Sequence, residues 1–136
     1  MESKDKKGRK SKMLIHAQLH KMHKKPDQQS YDFTQNDFTK DDSYHDLDLS
    51  AIVPAGAKAV LIWGSFKSDT GGTEINWAQN EHSGTYLKVM RHQPVADIAQ
   101  EFDCIIPLDS LRVIQYRIES APTYVNINMS VVAWWT

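Results

Sequence analysis

Near the end of the chain Val125, Ile127, Met129, Val131 and Ala133 alternate with Asn126, Asn128 and Ser130, ahead of Trp134, Trp135 and Thr136. A period of two puts every second side chain on one face of a strand and excludes a helix, whose apolar face recurs every three to four residues. Similar short runs recur through residues 46–136, each bounded by turn residues. The expected strands are Asp46–Ser50, Ala59–Lys67, a short one carrying Ile75 and Trp77, Tyr86–Arg91, a weak one at Val95–Glu101, Phe102–Leu108, Arg112–Ile118, and the long closing strand. Leu87, Val89, Ile114, Tyr116 and Ile118 point inward on this phase, and Asp69-Thr70-Gly71-Gly72 is expected to be a hairpin turn. With no helical pattern between them, about eight such strands predict an all-β, antiparallel β-sandwich or jelly roll.

The chain has 136 residues, the size of one domain rather than two. Its 40% apolar and 24% charged residues are ordinary for a globular protein with a modest core. No stretch approaches the ~20 apolar residues of a membrane span. No secretory leader is expected, because Met1–Lys7 has no apolar run behind it. The one cysteine, Cys104, excludes an internal disulfide and a cysteine-based zinc site.

Charge divides the chain in two. Residues 1–25 hold nine basic groups (Lys4, Lys6, Lys7, Arg9, Lys10, Lys12, Lys21, Lys24 and Lys25) against Glu2 and Asp5, or +7. Residues 26–136 hold seven basic groups against fifteen acidic ones, or −8. The expected organisation is a basic arm over 1–25, a polar and acidic extended linker over 26–45, and the sandwich over 46–136. Ile15, Leu19 and Met22 recur at helical spacing, so the arm is expected to hold one short amphipathic helix ended by Pro26. Phe33 and Phe38, in a doubled Asp-Phe-Thr, are expected to anchor the linker to a surface.

Few residues carry chemistry. His16, His20 and His23 are spaced to line one side of a helix and are the candidate metal ligands. Ala17 stands where a zinc protease needs its Glu, and the surrounding lysines oppose a cation, so a polar helix face is favoured and no metal is expected. Asp41, Asp42, Asp46 and Asp48 lack the spacing of a calcium loop. Cys104, beside Ile105 and Ile106, has no base near it in sequence and reads as a structural side chain. No phosphate loop, nucleophile elbow or catalytic carboxylate pair is present, so no enzyme and no cofactor are expected. Leu61, Trp63, Tyr86, Met90, Val132 and Trp134 fall on the faces opposite the core and are the candidate interface or ligand surface. Oligomerisation is the first expectation for that surface; sugars stacked on Trp63, Tyr86 or Trp134 are the second.

The run Asp46–Val60, with its Pro54-Ala55-Gly56 turn, the stretch Pro107–Tyr116, and the ending Ile127–Trp135 resemble small β-sandwich domains of bacteriophage virion proteins. These are tail-fibre or head-fibre tips and receptor-binding modules. The resemblance covers the β domain and implies a structural or attachment protein located in the virion. It also implies a homo-oligomer, commonly a trimer, with other virion proteins as partners and no catalytic residues. The basic arm would then dock on the particle. Two alternatives stay open: a jelly-roll coat protein whose residues 1–25 bind packaged nucleic acid, and a carbohydrate-binding module that meets a host-surface glycan.

Overall fold

The computed structural model describes residues 21–26, 28–81 and 88–136, with Lys88 described in its backbone alone. Among the described residues nine strands form two antiparallel sheets, and there is no α-helix. They are β1 (Met22–Lys24), β2 (Phe33–Thr34), β3 (Tyr44–Asp48), β4 (Ala59–Ser68), β5 (Thr73–Gln79), β6 (Lys88–Gln93), β7 (Gln100–Pro107), β8 (Val113–Ile118) and β9 (Tyr124–Trp135). The first sheet runs β1-β9-β4-β7, with β2 also pairing with β9, and the second runs β3-β8-β5-β6. From β3 onward only β5 and β6 are joined as a neighbouring hairpin; every other connection passes from one sheet to the other.

This β-sandwich follows from the alternation. Val60, Ile62 and Phe66 on β4, Phe102, Cys104 and Ile106 on β7, and Ile127, Met129 and Val131 on β9 face Leu47, Ile75, Trp77, Ile114, Tyr116 and Ile118 across the core. Trp77, fully buried, packs on Phe102 at 5.6 Å, Phe38 at 5.9 Å and Tyr116 at 6.1 Å between ring centroids. Edge-to-face and tilted pairs of this kind add to the burial of the rings themselves. Phe38, from the acidic stretch, is itself buried, and the Tyr116 hydroxyl accepts the Thr39 N–H at 2.9 Å. Residues 28–45 therefore add β2, a 3-10 turn at Gln35–Asp37 and the start of β3 to the fold.

Several expectations change. Met22–Lys24, at the end of the expected helix, is a strand; the rest of that helix, with Ile15, Leu19, His16 and His20, lies outside the described residues, as do Tyr86 and Leu87. The open edge of β9 decides this. Lys21 and Thr136 exchange two backbone hydrogen bonds at 3.1 and 3.0 Å, and this tertiary pairing outweighs a weak helical period. Asp69–Gly72 is not a hairpin turn, because β4 and β5 belong to opposite sheets. Gln93 joins them there: its side chain accepts from Ser68 N at 2.9 Å and donates to Ser68 O at 3.0 Å, as a strand partner would. The weak strand at Val95–Glu101 is mostly connection, with Val95 and Ile98 exposed and only Gln100 and Glu101 in β7.

Two bulges in β9 reset its phase. The first leaves Val125 exposed and turns Tyr124 inward. The second falls at Val132, so Trp134 pairs with Val60 on the core side and packs against the core, while Trp135 takes the outer face with Ala59. The expectation that Trp134 faces away from the core is therefore reversed.

Candidate functional site

The outer face of the first sheet reads as rows across its strands. One row is Met22, Trp135, Ala59 and Pro107; the next is Lys24, Ala133, Leu61 and Ile105. Apart from Lys24 these two rows are apolar, and Met22 and Ile105 are more than half exposed. The following rows are polar: Ser130, Trp63 and Asp103, then Asn128, Ser65 and Glu101. Trp63 stands on the border between the halves.

Against that border lies a groove of about 400 Å³, lined among others by Lys24, Lys25, Gln28, Tyr31, Trp63 and Ser130. The second β9 bulge makes it. An extra residue in a strand leaves a main-chain group without its ladder partner, and here the Asp32 carboxylate accepts the Val131 N–H at 2.8 Å. Lys25 N donates to Val132 O at 2.8 Å, so residues 25, 26 and 28–32 arch over the bulge between β1 and β2. Tyr31 projects from that arch, and its ring lies 16° from parallel to Trp63 with centroids 6.0 Å apart.

Asp32 organises the arch. Its carboxylate also accepts Lys25 Nζ at 2.6 Å and Gln28 Nε2 at 3.1 Å, and its side chain is only 11% exposed. Burial alone would raise its pKa, but the hydrogen bonds from Lys25, Val131 and Gln28 and the Lys25 charge outweigh it and hold the group below 3.8. A lowered carboxyl pKa stabilises the fold fully above the unfolded value, and the contribution is lost as pH falls through the folded one. Asp32→Asn is expected to cost about 2 kcal/mol at pH 7. In urea unfolding of both proteins, that gap closes below about pH 4.

The other candidates are dispersed. Met90, half exposed, pairs with Asn76 on the second sheet, so it shares no surface with Leu61 and Trp63. His23 bonds Thr136 Oγ1 at 2.9 Å and stacks on Trp134 at 6.3 Å, a packing role. Of the basic arm, Lys21, Lys24 and Lys25 are described; Lys4, Lys6, Lys7, Arg9, Lys10 and Lys12 are not. Each Asp of the acidic cluster has its own partner: Asp41 with His45, Asp42 with Ser120, Asp46 with Gln115, and Asp48 with the Ser50 N–H. Among the described residues no group of three His, Cys, Asp or Glu side chains could hold a metal ion, and no helix is long and apolar enough to cross a membrane. Burial pushes the Cys104 thiol up to about 12, far from a nucleophilic thiolate.

Tyr31, Ile105 and Trp135 escaped the sequence argument. Ile105 alternates with Cys104 and Ile106 and was hidden by an apolar run; Trp135 needed the bulge, and Tyr31 sits in a polar stretch with no period. Compared with family models, curated proteins and solved structures, the chain matches none.

Proposed function

We propose that the chain is a structural component of a virus particle, assembled into a closed oligomer and held to the particle by its basic N-terminal segment. The observation that carries the oligomer is the apolar half of the outer face, where Met22, Trp135, Leu61, Ile105 and Pro107 lie together on four strands. Four strands at ~4.8 Å and two rows at ~6.8 Å cover roughly 260 Å². That is well short of the ~800 Å² per partner of a standard interface, so the patch supplies the dry centre of a larger contact.

The connectivity supports the same reading. With β1 and β2 counted as one broken edge strand, the orders β1/β2-β9-β4-β7 and β3-β8-β5-β6 are those of an eight-stranded jelly roll. Viral capsid and lectin domains are built on that plan. A fold alone does not assign a function; here the resemblance of the Asp46–Val60, Pro107–Tyr116 and Ile127–Trp135 stretches to phage virion domains supplies the particle, and residues 1–25 supply a cationic tether. A trimer follows from that resemblance.

Light scattering after size exclusion, at low and high salt, tests the assembly. The expected result is a salt-resistant closed oligomer that falls to a monomer in the double variant Leu61→Lys, Ile105→Lys, with its unfolding still cooperative. A wild-type monomer at both salts overturns the proposal.

A further inference from the structure

We infer that the groove beside Trp63 is a binding site for an acidic saccharide. A pyranose has a C–H face that lies on an aromatic ring and a rim of hydroxyls that needs donors and acceptors. Both are here: Tyr31, an exposed ring, and Trp63, half-buried, lie near parallel, and Gln28, Gln29, Ser30 and Ser130 line the same groove. Its volume of about 400 Å³ lies in the range of small-molecule sites.

Charge selects the kind of sugar. Lys25 is neutralised by Asp32 within the wall, whereas Lys24, exposed on the same wall, adds a positive charge. On the far side of Trp63 a separate depression is lined by Glu101 and Asp103. A carboxylate on the ligand is therefore drawn to the Lys24 side of the tryptophan and repelled from the other. The same two acids flank Trp63 and disfavour a nucleic-acid strand, which carries a phosphate at every nucleotide. The inference does not rest on the assembly proposed above, since the groove lies at the polar border of the patch and its walls come from one chain.

The test is NMR titration of the full chain with sialyllactose and lactose, following the Trp63 indole signal. Both sugars are expected to move it, the acidic one binding about fivefold tighter. Tyr31→Ala weakens binding about tenfold on that signal, and Trp63→Ala does the same when followed through the Ser130 amide instead, each with unfolding curves unchanged in shape. Lys24→Gln removes the preference for the acid and leaves lactose as it was. Absence of any shift at about 10 mM sugar overturns the inference, as does a single-stranded oligonucleotide that moves the signal at lower concentration than either sugar. Equal binding of the two sugars overturns the role of Lys24. Failure here with the oligomer intact removes this inference alone.

Discussion

Trp77→Ala is expected to lower the unfolding free energy by about 3–5 kcal/mol, enough to leave a domain of this size barely folded. The indole is fully buried at the meeting point of three aromatic rings, each from a different segment: Phe38 before β3, Phe102 on β7 and Tyr116 on β8. Truncation opens a cavity between the sheets that rigid strands cannot close. Trp77→Phe separates packing from polarity. The buried indole Nε1–H has no acceptor among the described residues, so phenylalanine removes that donor while keeping most of the ring. Its loss should be about 1 kcal/mol. Chemical denaturation of both variants checks this, and equal losses for the two would refute the packing account.

Gly64→Ala is the second large effect. Gly64 lies mid-strand on the core face of β4, opposite Phe102 on β7 and Met129 on β9. A Cβ there would run into Asn128 O of the neighbouring strand and would lie 2.6 Å from Phe102 Cζ. One obstacle is main chain, so relief requires β4 and β9 to separate while the Phe102 ring leaves Trp77. A loss of about 3 kcal/mol is expected. Gly72→Ala gives the contrast: its φ is +87° and nothing lies within 4 Å of the added carbon. That variant incurs only backbone strain, about 1 kcal/mol. If Gly64→Ala unfolds no earlier than Gly72→Ala, the close approach is not what glycine serves there.

These sites also mark how far the sequence could be read. Runs such as Val113–Ile118 and Ala59–Lys67 were legible because a strand with one face in a core must alternate, and Ile114, Tyr116, Ile118 and Ile62 do point inward. Phase was not legible past a bulge. Inserting one residue exchanges the faces beyond it, and nothing local to Val131-Val132-Ala133 announces the insertion; hence Trp134 and Trp135 traded roles. Strand β1 was not legible because three residues have too little pattern of their own, and it exists through its pairing with β9.

The groove was the least readable feature. Trp63 was visible as an aromatic on the outer phase of β4. Its companion Tyr31 is brought over by Asp32, whose partners Lys25, Gln28 and Val131 span the chain from near one end to near the other. Such a site is a product of topology, and no spacing rule encodes it. The crossing at Asp69–Gly72 failed for the same reason. Two glycines specify a reversal, but the sheet that receives the next strand is decided by Gln93 and the core it seals.

The pairing of β1 with the end of β9 has a mechanical consequence. Among the described residues, tension applied through the basic arm enters the sandwich at Lys21, held by the exchange with Thr136, a three-residue ladder and the bond from His23 to Thr136. Because the load meets that ladder at its end, the hydrogen bonds break in succession, as in a zipper, rather than together. The arch at Lys25 and Asp32 is the next point of resistance. Between those two events the arm lengthens by a few residues while the core stays shut. The edge of Ala133–Trp135 then stands bare, a slot that another extended segment can fill. If the arm is the tether proposed above, it yields before its load is damaged and can be caught again in the position it left.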